Sequence, residues 1–232
     1  MFITDYMTHN PVTVSPETPL PAVRALLQGG KFRHLPVVAA DGRLLGIVTD
    51  RDLRSAFPSS VLSEEKARSC LVELDHTPVS AIMTRAAFTL TPMATLDDAL
   101  ILLDREKIGA MPVVDEEERV IGIFTTRDLI AAYRRVFGLG ERGSAMIVVR
   151  PDGKRKPLSR IARVLEEHEI RFTRLLRTEG KEGEPGSIFL RVNTFNISAV
   201  HNALREAGFS CGSGETTQGE DEKIKIKNAE SA

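Results

Sequence analysis

Two short phrases hold the residues of this chain best suited to chemistry: Gly46-Ile47-Val48-Thr49-Asp50-Arg51-Asp52 and Gly122-Ile123-Phe124-Thr125-Thr126-Arg127-Asp128. Each sets a glycine, a hydroxyl, a guanidinium and a carboxylate in fixed order. In the plainest reading, Thr49 with Asp52 and Thr125 with Asp128 are capping boxes, in which the hydroxyl accepts the amide proton three residues on and the acid reaches back. The same set could hold a nucleotide. Amides at a helix start favour phosphate, Arg51 or Arg127 can clamp it, and the carboxylate can accept two ribose hydroxyls. Gly46 and Gly122, without a Cβ, leave room for something to approach the backbone. A cap needs only a small polar residue and an acid, yet both phrases keep Gly, Ile, Thr, Arg and Asp at matched places. That raises the binding reading without removing the cap.

The phrases close two copies of one unit. Residues 7–54 recur at 83–130 without a gap, at a constant offset of 76, as from Thr49 to Thr125. Two copies point to a closed pair around a pseudo-twofold axis, since a solenoid needs more repeats. Each copy opens with a short β-branched segment, Val12-Thr13-Val14 or Phe88-Thr89-Leu90, halted by Pro16 or Pro92. A helix follows, its stripe Leu20, Val23, Leu26 and Leu27, or Leu96, Ala99, Leu100, Leu102 and Leu103. Then come two apolar runs around a turn, 35–38 with 44–48 and 111–114 with 120–124, where Asp41-Gly42 is a hairpin signal. A last helix starts at Asp52 or Asp128, so the unit reads β-α-β-β-α. Between the copies, Ser63 to Arg68 opens like a helix within a 58–78 linker.

The copies differ where Asp50 answers Thr126 and His34 answers Ala110. Asp50 adds negative charge near any phosphate, which predicts a weaker or differently selective first site. Gly138-Leu139-Gly140-Glu141-Arg142-Gly143 spells a dinucleotide fingerprint in the wrong setting, with a helix before it and a strand after. It reads as a linker over 138–143. Beyond it, strand 145–150, helix 158–168, strand 172–176, a Gly-rich turn 179–186, strand 188–192, helix 197–207 and a strand near Phe209 give β-α-β-β-α-β, the ferredoxin-like order.

Composition narrows the function. Thirty-one basic and thirty-two acidic residues, a net charge of −1, give no footprint for nucleic acid or an anionic membrane. Cys70 and Cys211 form no metal-like spacing, and a reduced, cytoplasmic protein is expected. No apolar run is long enough to span a membrane and the opening residues do not read as a signal peptide. Neither a paired nucleophile and base nor a phosphate loop with its lysine stands out, so no catalytic residue and no metal site is assigned.

Taken together, the repeats resemble a tandem pair of CBS domains, the Bateman module, whose Gly-apolar-x-Thr/Ser-x-x-Asp phrase is a nucleotide signature. The resemblance implies phosphate on Thr49 and Thr125, ribose hydroxyls on Asp52 and Asp128, and adenine against Leu35-Pro36 and Met111-Pro112. The C-terminal part resembles an ACT domain, with Asp152-Gly153 in its first loop as a ligand position or simply a solvated turn. A CBS pair followed by such a domain resembles the acetoin utilisation AcuB family.

The expected fold class is therefore α/β (α+β): CBS units at 1–57 and 79–137, and an ACT-like domain at 144–212. Residues 213–232, polar and charged, are expected to be disordered. The expected function is non-enzymatic: a regulatory adenine nucleotide (AMP, ADP or ATP) fills the clefts and alters how the module meets a metabolic enzyme partner, and no cofactor is required. A ligand-free scaffold is the alternative, and an enzyme with an unrecognised site a weaker one. Sheets with too little chain to cover both faces predict a homodimer.

Overall fold

The computed structural model describes residues 1–30, 32–57, 72, 74–180 and 186–212. The expected helix at 63–68, Cys70, residues 181–185 of the Gly-rich turn and the 213–232 tail lie outside the described residues. The described chain divides into a unit from Met1 to Tyr133 and a unit from Arg134 on.

The first unit contains β1 (Thr8–His9), α1 (Leu20–Gly29), β2 (His34–Val38), β3 (Leu44–Thr49), α2 (Asp50–Ala56), α3 (Leu96–Glu106), β4 (Ala110–Val114), β5 (Val120–Thr125) and the start of α4 (Thr126–Phe137). β2 pairs with β3, and β4 with β5, in the same antiparallel register, each with an irregularity before its last rung. The stripe of α1 that is buried is Leu20, Val23 and Leu27, and that of α3 is Leu96, Ala99 and Leu103. These sit at i, i+3 and i+7 in both helices. Leu26 and Leu100, expected in the stripe, are 39% and 42% exposed, because they fall to the side of that row. Leu20, Val23, Leu35, Val37, Val48 and Leu53 share one core. Each fully buried leucine there contributes about 1.5–3 kcal/mol.

Two expectations change. The opening strands at 12–14 and 88–90 reduce to single parallel bridges, Val14 to Val37 and Leu90 to Val113. Pro16 and Pro92, which cannot donate, stop the ladder after one rung. The last helices start two residues earlier than expected, at Asp50 and Thr126, which makes Asp52 the third residue of its helix.

Each hairpin takes a further strand partner from the segment that leads into the other copy. Thr8 lies opposite Ile123 in β5, and Thr84 opposite Ile47 in β3. The exchange is reciprocal down to single bonds. Ile3 N donates to Ala94 O at 2.9 Å and Val79 N to Thr18 O at 2.8 Å; Leu96 N donates to Met1 O at 3.0 Å and Leu20 N to Thr77 O at 2.9 Å. All four pairs obey the same offset, so the duplication reaches back to the first residues, and a pseudo-twofold relates the two halves.

In the second unit, β6 (Ser144–Arg150), α5 (Pro157–Glu167), β7 (Phe172–Arg177), β8 (Ile188–Asn193), α6 (Ile197–Glu206) and β9 (Ser210–Gly212) follow in order. The antiparallel sheet runs β7-β8-β6-β9, the ferredoxin-like arrangement. Ile147, Val149, Leu190 and Val192 bury one sheet face with Ile161, Leu165, Val200 and Leu204 of the helices. Gly138, Gly140 and Gly143 have φ of +64°, +84° and +70° and form the turn between α4 and β6, so the fingerprint-like spacing serves a chain reversal. Arg174 holds this turn, donating to Arg135 O at 2.8 Å and Val136 O at 2.7 Å. Among the described residues no helix is long and apolar enough to cross a membrane.

Candidate functional site

Both threonine–aspartate pairs form as capping boxes. Thr49 N and Thr49 Oγ1 each donate to Asp52 Oδ2 at 2.8 Å, and Asp52 N donates to Thr49 Oγ1 at 3.3 Å. For Thr125 and Asp128 the distances are 2.8, 2.7 and 3.3 Å. The sequence forces this locally: a β-strand ends on a threonine with extended backbone (φ −120°, ψ 162° at Thr49), and the acid falls three residues into the helix. Each box uses one carboxylate oxygen. Among the described residues, Oδ1 of Asp52 and of Asp128 accepts no hydrogen bond, so the cap leaves an acceptor on each acid. The threonine hydroxyl proton is committed to its own aspartate, so a threonine–phosphate contact would require that hydroxyl to turn.

Thr49, Arg51 and Asp52 line a cleft of ≈ 450 Å³. Arg33, His34, Ile47, Asp50 and Arg54 come to it from the first copy, and Thr84, Ala86, Ala87, Phe88 and 107–110 from the second. The second copy's share had no signal in the repeated phrase, because it arrives with the crossing lead and the end of α3. Extending the offset in both directions would have pointed to it. Thr125, Arg127 and Asp128 build the matched cap at the start of α4, on the other side of the pseudo-twofold.

Several expected site residues have other duties. Leu35 and Met111 are wholly buried, and Pro36 and Pro112 are buried between their neighbours; none of the four lines the cleft. In each copy it is the preceding residue, His34 or Ala110, that reaches it, because side chains alternate along a strand. Gly46 and Gly122 make room for the exchanged segments. A Cβ on Gly46 would lie 2.6 Å from Thr84 O and 3.1 Å from Met83 Sδ, and one on Gly122 would lie 2.5 Å from Met7 Sδ and 3.2 Å from Thr8 O. The backbone that approaches these glycines is the protein's own. Asp152 accepts from Arg160 at 2.7 Å and from Lys154 N at 3.2 Å. The Arg160 bond holds its carboxyl below the usual range, and both contacts are those of a closed loop. Gly153, at φ +75°, turns that loop.

Two features set the electrostatics. Asp50, expected to repel phosphate, is paired with Arg54 at 2.7 Å, which offsets much of its charge. His34 lies opposite Thr49 in the ladder. Burial, and secondarily Arg33, push its imidazole below its ordinary value, against a smaller pull from Asp52, so it is neutral near pH 7.

The CBS-domain sequence profile matches residues 3–59 and 79–135. A CBS domain-containing protein of Dictyostelium discoideum is 33% identical over 130 residues, covering 56% of this chain and 89% of that protein. The chain belongs to the CBS-domain family. A CBS-pair protein of Vibrio cholerae assigned to acetoin utilization (AcuB) superposes with a TM-score of 0.50 at 29% identity, covering 61% of this chain and 96% of that one. The CBS-pair protein CBSX2, solved with AMP, gives a TM-score of 0.50 at 27% identity, covering 59% and 98%. An inosine-5'-monophosphate dehydrogenase of Aquifex aeolicus is 33% identical over 125 residues, covering 53% of this chain, yet the chain spans only 23% of that enzyme. The likeness to such enzymes is confined to their CBS portion.

Proposed function

We propose that this CBS-domain protein is a regulatory, non-enzymatic adenine-nucleotide sensor. The observation that carries the reading is the cleft itself. At ≈ 450 Å³ it is of ligand size, both copies build it, and an aspartate with one oxygen that accepts no hydrogen bond among the described residues stands beside cations unpaired among them. Asp52 Oδ1 accepts ribose hydroxyls, Arg51 faces phosphate, and Thr84, Ala86, Ala87 and Phe88 supply the wall against which a base packs. The matched box at Thr125, Arg127 and Asp128 forms a second site of the same type. AMP bound to CBSX2 supports an adenosine ligand. AMP, ADP and ATP are the candidates, and neither a catalytic cofactor nor a metal enters the scheme.

The module acts on a cytoplasmic metabolic partner, and the AcuB likeness favours acetoin or acetyl metabolism. The domains run 1–57, 58–78, 79–137, 138–143 and 144–212, the last an ACT-like module whose edge β7 helps form a homodimer. Nucleotide that binds two arrangements of the CBS pair unequally shifts their populations.

Calorimetry of the full chain against AMP, ADP and ATP tests the reading. Loss of a hydrogen bond to a charged group costs about 1.5–3 kcal/mol, so the Asp52→Ala, Asp128→Ala double variant loses roughly 10- to 100-fold in affinity while its circular dichroism stays folded. Binding as tight as wild type would return both acids to capping alone and favour the scaffold. Light scattering at tens of micromolar gives twice the chain mass for the dimer, and a monomer there overturns it.

A further inference from the structure

We infer that the first cleft is built for a polyphosphate. Given the nucleotide reading, on which this inference rests, the cleft selects a nucleoside triphosphate or diphosphate over a monophosphate.

Four cations line it, Arg33, Arg51, Arg54 and Lys107, against two carboxylates, Asp50 and Asp52. Asp50 and Arg54 satisfy each other at 2.7 Å, with Arg54 Nε also donating to Asp50 O at 3.4 Å. Asp52 is engaged by Thr49 through one oxygen. Arg33, Arg51 and Lys107 remain, and among the described residues none of these side chains makes an ion pair or a hydrogen bond. Like charges are held around one concave surface with no counter-charge paired to them among the described residues, an arrangement that raises a positive potential and rewards each negative charge a ligand brings. His34, neutral near pH 7, adds no opposing or competing charge.

Lys107 carries the argument furthest because it is contributed by the other copy. It ends α3 in the left-handed region, at φ +53°, with its amide donating to Asp104 O at 3.3 Å. Its side chain therefore leaves from a fixed point on the part of the wall that the second copy contributes, while Arg51 lines the cleft from the first. Phosphate held between them would bridge the copies.

The second motif is not equipped the same way. At the matched places around it stand Gly109, Thr126 and Ile130 instead of Arg33, Asp50 and Arg54, leaving Arg127 as the motif's own cation. Lys31, which matches Lys107, lies outside the described residues. The repeat kept the caps and altered the charges beside them, and it is around the first cleft that Arg33, Arg51 and Lys107 converge.

The test is calorimetry on the full chain carrying Asp128→Asn, which weakens the second motif, against ATP, ADP and AMP in magnesium-free buffer. ATP should bind roughly ten-fold or more tighter than AMP, with ADP between, and the ratio should shrink as salt screens the charges. Lys107→Asn keeps a residue tolerant of the left-handed backbone and removes the charge; combined with Arg33→Gln it should bring ATP and AMP to within about three-fold. Lys107→Arg should retain the preference. The wild-type chain, titrated in parallel, supplies the same ratio at its tighter ATP site should Asp128→Asn disturb folding. Equal affinity for AMP and ATP overturns this inference and leaves the nucleotide reading standing. A preference that survives loss of both cations also overturns it. Absence of binding by all three compounds removes the nucleotide reading and this inference with it.

Discussion

The start of α2 and the start of α3 are one chemical object in two settings. At α3, Thr95 N and Thr95 Oγ1 donate to Asp98 Oδ2 at 2.8 and 2.7 Å and Asp98 N donates back at 3.2 Å, nearly the set made by Thr49 and Asp52. Yet the α3 box is exposed, takes no part in the cleft that Thr49 and Asp52 line, and is not repeated: Pro19 caps α1 at the matched place without a side-chain bond. The α2 box is partly buried and faces the other copy. A capping box is thus fold chemistry wherever it occurs, and its capacity for a ligand comes from what stands opposite.

That comparison can be broken at its strongest point by binding. Asp52→Ala and Asp98→Ala each remove a cap, and thermal melts should show comparable losses. Only Asp52→Ala should weaken nucleotide binding, by 10-fold or more. Equal effects on binding would mean the acids act through helix stability.

A second test uses the two glycines. Gly46→Ala drives a Cβ against Thr84 O, a backbone atom at 2.6 Å, whereas Gly122→Ala meets Met7 Sδ, which can swing aside. Overpacking of this kind costs about 1–3 kcal/mol, and urea unfolding should place Gly46→Ala at the upper end and Gly122→Ala at the lower. The reverse order would mean that the two exchanges are not held as described.

The smallest effect concerns His34. Its folded-state imidazole binds protons less readily than the unfolded one, so its contribution is complete above about pH 6.5 and is lost as pH falls through the lowered folded value. His34→Ala, which installs the second copy's residue, should flatten the decline of stability as pH falls below about 6.5. An unchanged slope would assign that decline to other groups.

Much of the fold was legible because repetition supplied an internal check. The hairpin, the helix stripe and the threonine–aspartate cap each appear twice, and the setting of the 138–143 glycines ruled out a dinucleotide loop. The site was half legible. Thr49, Arg51 and Asp52 stood out as a local phrase, whereas Lys107 and Thr84 enter by long-range placement that no local pattern encodes. Leu35 lies one residue from His34, which lines the cleft, the step that carries a strand's side chain from one face to the other, and Met111 is likewise buried. Asp50 looked repulsive because its partner, Arg54, lies one helical turn away and on the same face.

The exchanged lead segments also order events in time. Ile3 is bonded to Ala94 and Thr8 lies opposite Ile123, so the first stretch of chain has no berth until nearly all of the second copy exists. The edge at Ile47 can be covered as soon as Thr84 is made, whereas the lead at Thr8 waits for Ile123, and closing so long a loop is slow. The first copy cannot mature as an independent object, and neither can the cleft between the copies. On the proposed reading, a ligand would meet a finished binding site only after the chain has closed both exchanges, and its binding would report completed folding.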